Sequence, residues 1–439
     1  MEYSVGVIGL GFVGLSHAVS LASAGYRVIG VDIDREKLGA IERGMPPFKE
    51  PGIDEVLRNT IGRSLIVSSR YEDLKEANIV FIAVNAPTTD KGQDLSQLES
   101  ALDGLARAWR GLNDYRLVAI KSTVLPGTTR SLYKRFKMLS NMPRVGFASN
   151  PEFLREGRAL EDIRNPSRVV IGGVDAESSE VLSGFWRDYY KRVGVDPPIL
   201  VVEAEEAEMI KYASNVFLAM RVSFANTIAR ICEETPRCDA LNVLYGAGLD
   251  PRIGVDYLKP GPGYGGSCLP KDTRALIHYA DMHSIPVPLI RAMEETNRIQ
   301  LERIIAILEE ELGGIEGRVI TILGAAFKAG TDDVRESRSI YLARELIRRG
   351  AKVRLHDPLA LDNARRLLGD IVEYHRDIDS ALRGSDAVVI MTEWHHYKNI
   401  DWSKLKPGAL VVDYRRVADP VSLEKMGIRV RAVGLSRKK

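Results

Sequence analysis

Residues 3–34, YSVGVIGLGFVGLSHAVSLASAGYRVIGVDID, constrain this chain more than any other stretch. Val5–Gly9 reads as an apolar strand, Val13–Ala24 has helical spacing, Gly25 suits a helix C-terminus, and Arg27–Val31 is a second strand closed by Asp32. Gly9-x-Gly11-x-x-Gly14 falls at the strand-to-helix turn, and Asp32 lies 18 residues past the third glycine. A GxGxxG alone is weak evidence, whereas the full strand–turn–helix–strand–acid context is specific for a dinucleotide site. The glycines allow a tight turn and let a pyrophosphate approach the helix N-terminus. A carboxylate at Asp32 accepts from the adenosine ribose hydroxyls and repels a 2′-phosphate, which favours NAD over NADP.

Further apolar runs follow at 79–84, 117–120, 144–149 and 167–173, with helical patterns between most of them. That alternation predicts a parallel sheet covered on both faces. A long helix is predicted from the acidic stretch EAEEAE onward, because acidic residues suit the positive end of the helix dipole. Ile210, Ala213, Phe217, Met220, Phe224, Ile228 and Ile231 recur along it at steps of three and four. This seam is long enough to serve a dimer as well as a core. After LGGIEG, a strand at Val319–Leu323, a helix ending near Gly350 and a strand at Lys352–His356 closed by Asp357 repeat the opening plan, without GxGxxG in the turn GAAFKAG. The expected fold class is therefore α/β: two nucleotide-binding parallel-sheet domains, 1–202 and 315–439, joined by a helical middle domain, 203–314.

At 439 residues, 45% apolar and 27% charged, the chain has the material for several cores. A net charge of +2 without a long basic run argues against nucleic acid or a membrane surface as partner. No run approaches the length of a membrane span, and the first residues carry neither a basic leader nor a cleavage motif, so a soluble cytoplasmic protein is expected. Cys232 and Cys238 fit no zinc pattern and no metal site is expected. The two are expected to be inert structural thiols. A disulfide between them is the alternative for a hyperthermophile, toward which only three glutamines hint.

Polar groups close several strands on one edge, at VNAPT (84–88), KSTV (121–124) and NPEFLREG (150–157), where open α/β sheets bind ligands. Asn150-Pro151 reads as an N-cap and first helical residue, which would set Glu152 and Glu156 on one helix face. Lys211 and Asn215 are likewise one turn apart on the long helix. Cys268, in GPGYGGSCLPKD, precedes a helix that Pro270 would open. The helix dipole and Lys271 there favour a thiolate, and Asp272 opposes it.

With GLGFVG, VNAPT, KSTV, NPEFLREG, KYASNVFLA, GPGYGGSCLPKD, FKAGTDDVRES and DYRR in this order, the chain resembles the UDP-glucose/GDP-mannose dehydrogenase family over nearly its whole length. The resemblance implies two Rossmann-like domains and oxidation of a nucleotide-sugar C6 alcohol to the acid with two NAD+, through a thiohemiacetal and thioester on Cys268. It implies that Lys211 and Asn215 stabilise the C6 oxyanion, that Asp272 and Thr123 handle water and protons, and that Glu152 is the acid/base. Gly9, Gly11, Phe12, Val13, Gly14, Asp32, Lys37, Asn85, Pro87, Thr88, Ser122, Thr123, Glu156, Lys271 and Arg335 would face the cofactor NAD. Glu152, Phe153, Leu154, Glu156, Lys211, Asn215, Lys259, Tyr264, Gly265, Phe327, Lys328 and Arg415 would face the nucleotide-sugar, joined by Arg252 from the neighbouring subunit of a homodimer or larger homo-oligomer.

Two departures from the family pattern stand out. NAPTT replaces the commoner T-P-T form, a mild change because the backbone makes the cofactor contact, and Leu269 stands where Phe is frequent in UDP-glucose enzymes and where Leu also occurs in GDP-mannose enzymes. The GPGYGG context leans toward UDP-glucose and a UDP-glucuronate product. GDP-mannose is the next expectation, and UDP-N-acetylhexosamine, whose enzymes typically have a different catalytic loop, is last. A single-oxidation β-hydroxyacid dehydrogenase and a non-catalytic nucleotide-sugar sensor are remoter readings.

Overall fold

The computed structural model describes residues 3–89 and 92–436, which divide into two compact units, Met1–Ser214 and Asn215–Lys439. In the first, strands β1 (Ser4–Ile8), β2 (Arg27–Val31), β3 (Leu65–Ser68), β4 (Ile79–Ile82), β7 (Arg116–Ile120), β8 (Val145–Ser149), β9 (Val169–Gly173) and β10 (Ile199–Glu203) form one sheet, and β5 (Thr88–Thr89) pairs with β6 (Gly92–Gln93) as a separate two-stranded ribbon. The sheet order is β10-β9-β8-β7-β4-β1-β2-β3. Pairing is parallel from β3 through to β8, as the alternating pattern predicts, but β9 runs antiparallel to β8, with Ser149 opposite Gly172. The sheet is thus mixed at the end that β9 and β10 occupy.

Helices α1 (Phe12–Ser23), α2 (Arg35–Glu42), α3 (Ile53–Thr60), α4 (Ser96–Trp109), α5 (Thr128–Ser140), α6 (Ala159–Arg164) and α7 (Ala176–Val193) complete this unit. Apolar residues of α1, α3 and α7 share one core with the sheet, and those of α4 and α5 share the other. Burial on both faces is why the strands are apolar at nearly every position rather than alternately. Local signals agree with the ends of α7. Asp175 accepts from the Ser178 amide at 2.8 Å, and Gly194 takes a φ of +80° beyond the last turn.

Helix α8 (Ala204–Glu234) starts in the first unit and runs on into the second. The apolar seam read from its sequence is only partly its core face, since Met220 and Ile228 pack against buried clusters while other members are exposed. Phe217 and Phe224 are each 53% exposed and Ile231 is 58% exposed, while Ala207, Tyr212, Ala219, Ala225 and Ala229 are buried.

In the second unit α9 (Ala240–Gly248), α10 (Leu269–Met282), α11 (Pro288–Leu312) and α12 (Arg338–Arg348) accompany strands β11 (Val319–Leu323), β12 (Lys352–His356), β13 (Glu373–His375), β14 (Ala387–Ile390), β15 (Leu410–Asp413) and β16 (Arg429–Ala432). These six form an all-parallel sheet ordered β13-β12-β11-β14-β15-β16. Ala225 and Ala229 of α8, Leu244 of α9 and Ile304 of α11 belong to the same apolar cluster as Ile320 and Val388 of the sheet. Helical middle and C-terminal sheet therefore share one core.

Cys232 and Cys238 are joined in a disulfide, with Cα atoms 5.0 Å apart. The expectation of inert thiols is corrected here. The end of α8 turns back at Thr235 and brings the two residues within bridging range.

Candidate functional site

In the first unit the turn after β1 gives each glycine a reason. Gly9 has a φ of +89°, and a side chain on Gly14 would stand 1.8 Å from the Gly9 carbonyl oxygen. A Cβ on Gly11 would meet nothing within 4 Å, and Gly11 offers no side-chain cap to α1. The helix N-terminus thus carries open space and uncapped amides, the cradle a dinucleotide pyrophosphate needs. Asp32 follows β2, buried, accepting from the Leu10 amide at 2.8 Å, the Asp34 amide at 3.0 Å and Lys37 Nζ at 2.8 Å. Burial pushes its carboxyl pKa up, and the Lys37 ammonium with the two amides outweighs this, holding it below its usual value. The residues fit NAD: a glycine turn for the pyrophosphate and an ionised acid for the ribose.

The parallel strands deliver the other polar groups to the same edge. After β7, Ser122 donates to the Val84 carbonyl at 2.6 Å, tying KSTV to the segment with Asn85, Pro87 and Thr88. Gln93, which nothing in the sequence singled out, donates to the Thr123 carbonyl at 2.8 Å and to the Tyr212 hydroxyl at 3.2 Å, and accepts from the Leu125 amide at 3.0 Å. Glu208, also unanticipated, accepts from the amides of Gly127 at 2.6 Å and Thr129 at 2.7 Å at the start of α5. Burial pushes its pKa up to about 7 against the pull of those amides.

NPEFLREG does not open a helix, and Glu152 and Glu156 are not a helical pair, since helix α6 begins only at Ala159. The amides a helix would use are taken by side chains. Leu154 donates to the Glu152 carboxylate at 2.6 Å, Arg155 to Asp162 at 2.8 Å, and Gly157 to Glu50 at 2.7 Å. Asn150 is no cap either. Its oxygen accepts from Lys121 Nζ and Trp186 Nε1, both at 3.1 Å, and its amide donates to the Val170 carbonyl at 2.8 Å. In exchange the loop presents Glu152 to α8. Lys211 Nζ donates to the Glu152 carbonyl at 2.6 Å and its carboxylate at 3.1 Å, with both side chains nearly buried. Burial pushes the Glu152 carboxyl up, but Lys211, the Leu154 amide and Lys121 together hold it below its usual value. Phe153 carries the Arg168 guanidinium 4.0 Å from its ring centre.

In the second unit, Cys268 occupies the N-cap of α10 with Pro270 in the first turn, as its sequence predicts. It is half-buried, and its carbonyl accepts from the Asp272 amide at 2.9 Å. Asp272 is 1% exposed; Asn215 Nδ2 donates to it at 2.6 Å, and Lys271 donates to its other oxygen. The Lys271 charge, expected to favour the thiolate, is therefore shared with Asp272.

The glycine loop before Cys268 lies against the strand ends of the C-terminal sheet. The Gly266 amide donates to the Arg335 carbonyl at 3.1 Å, and a side chain on Gly266 would stand 2.7 Å from the Phe327 ring. Arg415 Nε donates to the Met391 carbonyl at 2.8 Å and pairs with Glu393 at 3.0 Å, and a Cβ on Gly261 would lie 3.4 Å from Arg415 Nη1. Gly265, Phe327 and Arg415 are thus neighbours, and Lys328 Nζ lies 5.5 Å from the Phe327 ring centre. The Tyr264 side chain is buried with Val216, Ala219 and Met293, and its backbone is held by Asn297. Arg335 and Arg252 are exposed, each bidentate to an aspartate two residues away, Asp333 and Asp250. Lys259 is exposed.

Asp357 closes β12 as Asp32 closes β2, yet it cannot serve a ribose. Its oxygens already accept from the amides of Ala325, Ala326, Leu359 and Ala360 and from Trp394 Nε1. The absence of GxGxxG from the second turn has its counterpart in a carboxylate fully used by the fold.

Residues 3–190 match the NAD binding domain of the UDP-glucose/GDP-mannose dehydrogenase family, 205–299 its central domain and 321–420 its UDP binding domain. A UDP-glucose 6-dehydrogenase of Bacillus subtilis (strain 168) is 39% identical over 398 residues, 90% of this chain and 88% of that protein. The structure of a UDP-glucose dehydrogenase from the hyperthermophilic archaeon Pyrobaculum islandicum superposes with a TM-score of 0.91 at 39% identity, covering 99% of this chain and 98% of that one. That of a UDP-D-ManNAc dehydrogenase from Pyrococcus horikoshii superposes with a TM-score of 0.85 at 29% identity, over 98% and 99%. The chain belongs to the UDP-glucose/GDP-mannose dehydrogenase family.

Proposed function

We propose that the protein oxidises the C6 alcohol of UDP-glucose to the carboxylate of UDP-glucuronate, with two NAD+ consumed per acid formed. The observation that carries this reading is Cys268 at the N-cap of α10, one turn before the buried Asp272 that Asn215 holds. A single alcohol-to-ketone oxidation has no use for such a thiol. Bound NAD+ supplies the hydride acceptor, seated by the Gly9–Gly14 turn and Asp32. The C6 alcohol loses a proton and a hydride to become an aldehyde, with Lys211 and Asn215 donating to the C6 oxygen as charge develops there. Cys268 thiolate adds to the aldehyde carbon, giving a thiohemiacetal that again carries a hydrogen on C6. Loss of that hydride leaves a thioester, and water displaces the thiolate to release the acid, with Asp272 and Thr123 handling the proton. Glu152, ionised beside Lys211, is the acid/base partner. Phe327, Lys328, Gly265 and Arg415 hold the nucleotide-sugar, and Arg335, Lys271 and Glu156 serve the cofactor side.

A homodimer is part of the reading. It is supported by the exposed Phe217, Phe224 and Ile231 of α8 together with Tyr245 (62%) and Leu249 (61%), large apolar side chains in one unit that a partner would take out of water. Arg221 donates to the carbonyls of Ile253, Gly254 and Asp256, fixing the turn from which Arg252 extends with 89% of its side chain exposed.

The test is NADH production with UDP-glucose, UDP-galactose, GDP-mannose and UDP-N-acetylhexosamines, followed by a count of NADH per acid. UDP-glucose should be oxidised with the highest kcat/KM and two NADH each. One NADH per turnover would overturn the four-electron reading, and a strong preference for GDP-mannose or an N-acetylhexosamine would reassign the substrate.

A further inference from the structure

Lys121 has no role in the chemistry above, yet it is one of the most buried cations in the molecule, 4% exposed at the end of β7. Its Nζ donates to Asn150 Oδ1 at 3.1 Å and lies 5.3 Å from the Trp186 ring centre and 5.8 Å from that of Phe81. Among the described residues no carboxylate stands within ion-pair distance of it. A buried ammonium without a paired anion costs free energy that a methionine of similar shape would not. A reason for a charge here lies two residues along, because Asn150 begins the loop that carries Glu152.

We propose that Lys121 is a positioning residue for the oxidation: through Asn150 it sets the turn that presents Glu152 to Lys211, and its charge supplies part of the field at that pair. The proposal rests on the acid/base role given to Glu152. The geometry of the bracket supports it. The Asn150 side-chain amide is held at both ends, its oxygen by Lys121 and Trp186 and its nitrogen by the Val170 carbonyl, which fixes how the loop leaves β8. Other charges facing Lys121 are few. Glu152 attracts it from the loop, and Lys211 repels it from α8. His17 lies nearby on α1, with Nδ1 2.9 Å from the Val13 carbonyl; burial first and then Lys121 keep its pKa well below the usual value, so it adds no charge at neutral pH. The contacts from β4 and α7 are aromatic rings. Burial pushes the Lys121 pKa down to about 7, so its charge itself varies across the working range.

The sign of the effect follows. Lys121 is among the charges that hold the Glu152 carboxyl down, so removing it raises the Glu152 pKa and moves the acid limb of the rate profile to higher pH. The test compares kcat against pH for wild type, Lys121→Met, Lys121→Gln and Glu152→Gln. Lys121→Gln keeps a donor for Asn150 without the charge. In both Lys121 variants kcat at pH 7 should fall about tenfold and the acid limb should move up by about half a pH unit, with KM for NAD+ within about twofold of wild type. Glu152→Gln should lose that limb, which assigns it. Lys121 variants with the wild-type limb, whether fully active or uniformly weakened with a lowered melting temperature, would make Lys121 a strut of the fold and overturn the proposal alone. Wild type that reduces NAD+ with none of the nucleotide-sugars would overturn the functional reading and this inference with it.

Discussion

Lys211 and Glu152, 59 residues apart in the chain, are bonded twice: the ammonium donates to the backbone carbonyl of Glu152 at 2.6 Å and to its carboxylate at 3.1 Å. One cation therefore fixes both the loop and the acid that the loop carries. Lys211→Met should lower kcat by about two to three orders of magnitude, the size expected for loss of an oxyanion donor. It also strands a buried carboxylate, which should cost about 3–5 kcal/mol at neutral pH in thermal or urea unfolding. Lys211→Met with Glu152→Gln should recover most of that stability and none of the activity. Recovery of activity in the double variant would show that Lys211 acts only by neutralising Glu152.

Asp32 should decide cofactor choice. The wild type should prefer NAD+ strongly, because an ionised, buried carboxylate at this strand end would repel a 2′-phosphate on the ribose of a bound cofactor. Asp32→Asn should weaken NAD+ binding and narrow the preference over NADP+, read as the ratio of kcat/KM values. Comparable wild-type efficiency with both cofactors would remove Asp32 from this role.

Cys268→Ser keeps the shape of the side chain but raises its pKa and makes it a poorer leaving group. The second oxidation and the hydrolysis should be crippled while the first hydride transfer survives in part. Supplied aldehyde should be a poor substrate for this variant, and an ester on the serine should be visible as added mass. Sugar acid formed at the wild-type rate with two NADH would mean that the aldehyde is oxidised as its hydrate.

Mixing Arg252→Ala and Cys268→Ala subunits tests the dimer. If Arg252 serves the neighbour's substrate, each mixed dimer holds one site with both residues intact. Random exchange should then return about a quarter of the wild-type rate per chain. Proven exchange with no recovered activity would place Arg252 within its own chain's chemistry.

Glu208 should make the stability of the Met1–Ser214 unit depend on pH. Its pKa is raised by burial from the ordinary 4.5 to about 7, so its contribution is fully present below about 4.5 and is lost as pH rises through about 7. Unfolding free energy from this group should fall by at most about 3 kcal/mol across that window. Glu208→Gln should flatten the slope in urea titrations at pH 5 and pH 8. An unchanged slope would show that the amides of Gly127 and Thr129 keep Glu208 ionised throughout.

What the sequence alone determined is what depends on local chain geometry. The Gly9–Gly14 turn, Asp32 at a strand end, the N-cap position of Cys268 and the one-turn spacing of Lys211 and Asn215 follow from residues near each other along the chain, through steric limits and helix periodicity. Tertiary structure decided whatever depends on which segments meet. NPEFLREG carries a local N-cap signal, yet Glu50, Asp162 and the Glu152 carboxylate take its amides and leave a loop. Phe217, Phe224 and Ile231, three of the apolar steps of α8, lie on an exposed face, while Ala219, Ala225 and Ala229 take the buried one. Asp357 repeats the position of Asp32, but four amides and a tryptophan occupy it. The partners of Lys121, Gln93 and Glu208 carry no signature in sequence, since each is defined by groups 29 to 119 residues away that only the fold supplies.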